Sequence, residues 1–154
     1  MTANSNSQEK KKVLFLCTHN SARSQMAEGL LRAMYGDRYE AYSAGVEATK
    51  VNPLAIKAMK EIDIDITGQY SKTAQEFQDT IFDLVITVCD YAKAVCPIVI
   101  TNLERPTKLT KAREVIHNGF EDPAAAVGSD EEKLKVFRQV RDEIKVWISL
   151  TFAK

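Results

Sequence analysis

Apolar positions along this chain follow two periods. Short, nearly continuous apolar runs alternate with longer segments in which apolar residues recur every three or four positions, the patterns of strand and helix. Strand one runs from about Lys12 to Cys17, with Val13-Leu14-Phe15-Leu16 as its body. A helix follows over about Ser24 to Tyr35, with Ala27, Leu30, Leu31 and Met34 on one face and Gly36 as its stop. Strand two is about Tyr39 to Ser43 and leads into a Ser43-Ala44-Gly45 turn. Helix two opens on Asn52-Pro53, a capping residue before proline at the first helical position, and buries Ile56, Met59 and Ile62. A short helix starts at Thr73, whose spacing to Glu76 fits a capping box. Strand three, Asp83 to Val88, is nearly all apolar, as suits a central strand covered on both faces, and it ends at Cys89. The stretch from Pro97 to Asn118 reads as a loop followed by a fourth strand around Glu114 to His117. A second capping box, Ser129 with Glu132, opens the last helix. Its stripe is Leu134, Phe137, Val140, Ile144, Trp147, Ile148 and either Thr151 or Phe152.

This alternation indicates an α/β domain with a mostly parallel sheet. Residues 1–11 are polar and lysine-ended and read as a disordered tail; residues 12–154 read as one domain, long enough for a substantial core. Basic and acidic residues balance at 21 each, which gives no global attraction to nucleic acid or a charged membrane. No apolar run is long enough to span a bilayer, and the tail lacks the apolar centre of a signal peptide. Three cysteines, an odd number in a chain of this size, suit reactive thiols in the cytoplasm better than a secreted disulfide scaffold. His19 and His117 are far apart, and no Cys/His spacing matches a metal site.

The candidate chemistry lies at the first strand-to-helix junction. Cys17-Thr18-His19-Asn20-Ser21-Ala22-Arg23 puts a cysteine at the carboxyl end of a strand, then a short loop, then a helix amino terminus at Ser24. Backbone N–H groups and the positive end of the helix dipole meet there and favour an oxyanion. Arg23 adds a planar, two-pronged grip on such an anion. The same field favours a thiolate at Cys17, the nucleophilic form. Cys89 ends strand three. If strands one and three are neighbours, both thiols face one crevice beyond the carboxyl ends of the sheet.

The segment from Cys17 to Gly29, Cys-Thr-His-Asn-Ser-Ala-Arg-Ser-Gln-Met-Ala-Glu-Gly, resembles the phosphate-loop signature of the low-molecular-weight tyrosine phosphatase fold. With Cys89, Cys96-Pro97 and Asp122-Pro123-Ala124 it is more similar to the thioredoxin-coupled arsenate reductases on that fold. The resemblance covers essentially everything after the tail. It implies a three-layer α/β/α architecture with a four-stranded parallel sheet in the order 2-1-3-4. It also implies that the loop, Thr18 to Ser24, holds arsenate, with phosphate or sulfate as analogues. Cys17 would then attack, Asp122 would protonate the departing oxygen, and Ser24 would stabilise the thiolate. Cys89 would release arsenite and leave a Cys17–Cys89 disulfide; Cys96 would convert it to Cys89–Cys96, and thioredoxin would reduce that bond. No bound cofactor is implied, and the chain would act as a monomer.

Three features depart from the family pattern. Ala22 stands where many relatives carry a second loop cysteine, a residue with no electron-transfer role in this scheme. Asn20 and Ser43 match a monovalent-cation site of some members, but Lys72 replaces its acid, so an ammonium stands in for the cation. Thr101 to Lys111 reads as an inserted, solvated loop carrying Arg105, Lys108 and Lys111 against Glu104. Two other functional classes fit parts of the pattern. A small tyrosine phosphatase would need Cys17, Arg23 and Asp122 and would leave two thiols idle; it would also usually carry a tyrosine where Ala124 stands. A non-catalytic oxyanion or redox-signalling module would not need the intact nucleophile, arginine and acid.

If Asp90 to Val95 is helical, seven positions at ~1.5 Å rise separate Cys89 and Cys96 by about 10.5 Å. A disulfide requires Cα atoms within roughly 7 Å. This segment is therefore expected to unwind or loop out on oxidation. Amide-exchange protection of residues 89–96 should fall in the oxidised protein; equal protection in both redox states would contradict the expectation.

Overall fold

A computed structural model describes residues 9–88, 99–100 and 110–153 of the chain. Its elements are β1 (Lys11–Cys17), α1 (Arg23–Tyr35), β2 (Tyr39–Gly45), α2 (Pro53–Lys60), β3 (Ile81–Thr87), β4 (Val99–Ile100), β5 (Thr110–His117) and α3 (Asp130–Phe152). Short 3-10 turns occupy Ala74–Phe77 and Pro123–Ala125. The sheet is parallel throughout, in the order β2-β1-β3-β5-β4. The four long strands thus keep the 2-1-3-4 order, and the two-residue β4 adds a fifth strand at the edge.

Alternation along β1 assigns its side chains to two cores. Val13, Phe15 and Cys17 belong to the larger core, with Met26, Ala27, Leu30 and Leu31 of α1, Ala58 and Met59 of α2, and the α3 stripe. Leu14 and Leu16 belong to the smaller core, with Phe82, Val85 and Ala112; Tyr42, Ala74 and Phe77 pack over it. Phe15, Leu14 and Leu16 are completely buried, each a contribution of about 1.5–3 kcal/mol. Among the described residues, the α-helices cover one face of the sheet, and the 3-10 turn Ala74–Phe77 with its aromatic neighbours covers the other. Tyr42, Phe77 and Phe82 meet edge to face there, with centroids 5.4–5.6 Å apart.

Several local features differ from the sequence pattern, each for a physical reason. The Thr73–Glu76 spacing predicts a capping box, yet Thr73 makes no side-chain cap and its segment is a 3-10 turn. Thr73 pairs with Gly45 as an isolated bridge, and the Glu76 carboxylate accepts a hydrogen bond from the Tyr70 hydroxyl. Helix α2 buries Ala55, Ala58 and Met59 completely, while Ile56 and Ile62 are only partly buried. The small residues permit close approach to α1, where a Cβ on Gly29 would sit 2.6 Å from Ile66 Cγ2 and 3.2 Å from Met59 Cε. The fourth long strand begins at Thr110, four residues before the apolar signal, because Lys111 and Ala112 pair with Ile81 and Phe82 of β3. Lys11, assigned to the tail by its polarity, opens β1 opposite Tyr39. Gly36 does follow the last residue of α1, in a right-handed conformation.

Helix α3 has the capping box its sequence predicts. Ser129 Oγ accepts from the Glu132 N–H and Glu132 Oε1 accepts from the Ser129 N–H, each at 3.2 Å. Phe152, rather than Thr151, completes its buried stripe. That stripe also contains a charged residue, Arg141, which donates to Ala58 O at 2.7 Å and to Glu61 Oε1 at 3.1 Å. Arg138 adds a two-pronged bond to the same carboxylate, at 2.8 and 2.7 Å. These arginines hold the Glu61 carboxyl down at about 2, Arg138 contributing most. The clamp ties the C-terminal end of α2 to α3. Among the described residues, no helix is long and apolar enough to cross a membrane.

Candidate oxyanion site

The site forms where β1, β2 and β3 end together. Cys17 pairs with Gly45, and Leu16 with Ala44 and Thr87, so three strand termini and the following loop share one edge. The loop from Thr18 to Ala22 rests on Gly45. A Cβ there would lie 2.8 Å from both Asn20 N and Thr18 O, so glycine is what allows this approach. Thr18 O accepts from the Glu47 N–H at 3.0 Å, and Ser21 O accepts from the Asn52 N–H at 2.9 Å. Asn52 in turn caps α2 by accepting from the Leu54 N–H. The loop is thereby tied at both ends to the elements that follow it.

Its centre is Asn20, which is fully buried and left-handed at φ 50°. Asparagine is among the few non-glycine residues that tolerate this region. The Asn20 Oδ1 atom accepts from the Lys72 backbone N–H at 2.9 Å. That N–H can only donate, so the orientation of the amide is fixed. Nδ2 therefore faces Ser24 Oγ, 2.8 Å away, and donates to it. Ser24 Oγ also lies 3.0 Å from Cys17 Sγ, and toward a thiolate, which can only accept, its hydroxyl is the donor. A donated O–H favours a thiolate acceptor over a thiol.

Cys17 is buried at the floor of an open cleft of about 230 Å³. His19, Ser21, Ala22, Arg23, Thr49, Asp122 and Ala124 line it. Ala22 occupies the cap position of α1 and supplies no side-chain acceptor, which suits a helix terminus facing an anion. The Arg23 guanidinium is 5 % exposed; Nη1 donates to Phe120 O at 3.2 Å, and Nη2 lies 3.7 Å from Asp122 Oδ2. Asp122 caps the Pro123–Ala125 turn by accepting from the Ala124 N–H at 3.0 Å, and its other oxygen faces Arg23. His19 is exposed, 3.5 Å from the Glu47 carboxylate at the rim.

The structure thus gathers Cys17, the loop Thr18–Ala22, Arg23, Ser24 and Asp122 at one place. Cys89 and Cys96 lie outside the described residues, as do residues 101–109 of the expected insertion; its last two residues, Thr110 and Lys111, belong to β5 rather than to a solvated loop, with Thr110 buried. β1 and β3 are neighbours, and Cys89 follows β3 by two positions in sequence. Thr49 has no motif that marks it in the sequence, and Glu28 falls within the Cys17–Gly29 signature without a role of its own there. Thr49 reaches the cleft because its N–H donates to Ser71 Oγ. Glu28 is a buried acid in the middle of α1, accepting from Ser43 Oγ at 2.5 Å and paired with Arg32. Lys72 Nζ lies 3.8 Å from the same carboxylate and donates to Tyr70 O at 3.0 Å. Burial pushes the Lys72 amine below its ordinary range, against the pull of Glu28. The Lys72 ammonium is thus held by Glu28 and the Tyr70 carbonyl, while Asn20 Oδ1 accepts from the Lys72 backbone N–H and Ser43 Oγ donates to Glu28.

A strand-end cysteine, an oxyanion loop opening a helix, an arginine and an opposing aspartate define the cysteine-nucleophile phosphatase class of fold. The chain belongs to the low molecular weight phosphotyrosine protein phosphatase family, whose model matches residues 12–151. Within it, the chain is similar to arsenate reductases. It is 52 % identical to the arsenate reductase of Halalkalibacterium halodurans over 145 residues, 94 % of this chain and 96 % of that protein. It is 46 % identical to that of Bacillus subtilis over 136 residues, 88 % and 91 % of the two chains. Among solved structures it resembles an arsenate reductase in the phosphate binding state, with TM-score 0.70 and 33 % identity, covering 93 % of this chain and 97 % of the other.

Because Lys72 already supplies a cation, potassium should leave the melting temperature and turnover of the protein unchanged. Lys72→Ala should destabilise it by about 2–3 kcal/mol, at the low end for a broken buried pair because Arg32 still neutralises Glu28. Potassium should partly restore that variant. Melting curves in potassium and sodium chloride test both; clear potassium activation of the natural protein would contradict the assignment.

Proposed function

We propose that this protein is an arsenate reductase that couples nucleophilic attack to a three-thiol relay. The observation that carries the reading is the arrangement of Cys17, Ser24, Arg23 and Asp122 around one small cleft. Among the described residues no phenylalanine, tyrosine or tryptophan lines that cleft, so it suits a small tetrahedral oxyanion better than a phosphotyrosine ring. The similarity to arsenate reductases over nearly the whole chain supports the same substrate.

In the proposed reaction the loop amides and Arg23 hold arsenate, and the Cys17 thiolate attacks arsenic. Asp122 gives a proton to the departing oxygen, which leaves as water, and a Cys17–arsenic bond remains. The Cys89 thiolate attacks Cys17 Sγ. A sulfur–sulfur bond forms, and the electron pair of the sulfur–arsenic bond passes to arsenic, which leaves as arsenite. Cys96 then attacks Cys89, freeing the Cys17 thiolate and leaving a Cys89–Cys96 disulfide. Thioredoxin, as a dithiol, accepts that disulfide and returns the enzyme to its starting state. A phosphatase needs one cysteine because water completes its reaction; two further thiols supply the two electrons that reduction requires. No bound cofactor takes part, and the relay suits a reducing compartment such as the cytoplasm.

The test is NADPH consumption with arsenate, thioredoxin and thioredoxin reductase. Cys17→Ser, Cys89→Ser and Cys96→Ser should each abolish turnover. Activity that survives Cys96→Ser would indicate an external thiol, such as a glutaredoxin system, as resolver. Failure of arsenate turnover with Cys17-dependent hydrolysis of an aryl phosphate would instead make the protein a phosphatase.

A further inference from the structure

The donors behind Cys17 extend well beyond Asn20 and Ser24. Gln25 is fully buried beside them. Its Nε2 atom faces three oxygens: Asn20 Oδ1 at 2.8 Å, Asn20 O at 3.1 Å and Tyr70 O at 3.0 Å. Two of these are backbone carbonyls, which only accept, so the Gln25 amide has one orientation. Its Oε1 atom then accepts from Gln69 Nε2 at 2.8 Å. Gln69 Nε2 also donates to the backbone carbonyl of Gln25 at 3.0 Å, which fixes the second amide as well. Gln69 Oε1 finally accepts from Arg32 Nη1 at 3.0 Å.

The links as far as Ser24 run in one direction: the Arg32 guanidinium donates to Gln69, Gln69 to Gln25, Gln25 to Asn20, and Asn20 to Ser24. With Cys17 as the thiolate, which can only accept, Ser24 donates to its Sγ. The permanent charge at the far end and the aligned amide dipoles all present positive ends toward the thiolate. Hydrogen bonds in such a chain polarise one another, and they do so more strongly away from water. Asn20, Ser24 and Gln25 are buried, Gln69 is partly buried, and half of the Arg32 side chain reaches solvent.

We propose that Gln25, Gln69 and Arg32 are positioning residues that form a polarised relay sustaining the Cys17 thiolate from the opposite side of α1. The proposal rests on Cys17 being the nucleophile. Arg23, Asp122 and His19 face Cys17 across the cleft, and Glu28 and Lys72 flank the relay; all five stay unchanged in the variants below. In Gln69→Glu, a carboxylate would still accept from Arg32 but would set an acceptor against Gln25 Oε1. Gln69→Met would remove both links with little change in volume. Gln69 does not line the cleft, and its partial exposure permits both variants to fold.

The readout is the rate of iodoacetamide alkylation of Cys17 between about pH 5 and 9 in the full chain carrying Cys89→Ser and Cys96→Ser. The relay requires the Gln69→Glu profile to move alkaline by about one pH unit, a tenfold loss of thiolate on its rising limb, with a smaller move in the same direction for Gln69→Met. Melting temperatures of the variants establish that they are folded. Unchanged profiles in both variants would overturn the relay, even if turnover fell, because Gln69 would then merely hold the loop in place. Absence of alkylation in the parent chain would overturn the nucleophilic assignment itself, a separate result.

Discussion

The site depends on one buried side chain. Asn20 must be left-handed for the loop to curl around an anion, and its amide must be satisfied on both sides for that conformation to persist without water. The Lys72 N–H and the Gln25 amide fill one side, and Ser24 Oγ the other. This constraint couples elements distant in sequence. Gly45 must lack a Cβ so that the loop can rest on the end of β2, and the segment carrying Lys72 must return beside it through the Gly45–Thr73 bridge. The reward is a hydroxyl held 3.0 Å from Cys17 Sγ. A loop held by fixed donors needs no reorganisation when charge moves onto or off the sulfur, which is how preorganised polar sites favour a reaction.

The sheet supplies the rest. Parallel strands β1 and β3 lie side by side, so their carboxyl ends open on the same edge. In the proposed relay the fold of a hydrolase serves a reduction through further cysteines, of which Cys89 follows β3 by two positions in sequence.

Much of this was legible in the residues, because the features involved are local. The run Val13–Leu16, the seven residues from Cys17 to Arg23 and the helix after them lie consecutively, and the order of the long strands follows from the family resemblance they carry. The buried polar residues were not legible. Gln25, Glu28 and Arg141 look like solvent-facing positions of amphipathic helices, since the groups that satisfy them come from elsewhere in the chain. Gln25 meets Gln69 across 44 positions, and Arg141 meets Ala58 across 83. The Thr73–Glu76 pattern misled for the same reason: a bridge to Gly45 and the Tyr70 hydroxyl outcompeted the local cap. Helix α2 misled because its buried face is Ala55, Ala58 and Met59, which leaves Ile56 at the margin.

The most direct test of the central claim is a single turnover without any external reductant. Fully reduced protein would be mixed with excess arsenate, and arsenite and free thiols would be counted. The account predicts one arsenite per chain and loss of two of the three thiols. Arsenate that binds without forming arsenite, with all three thiols retained, would contradict it.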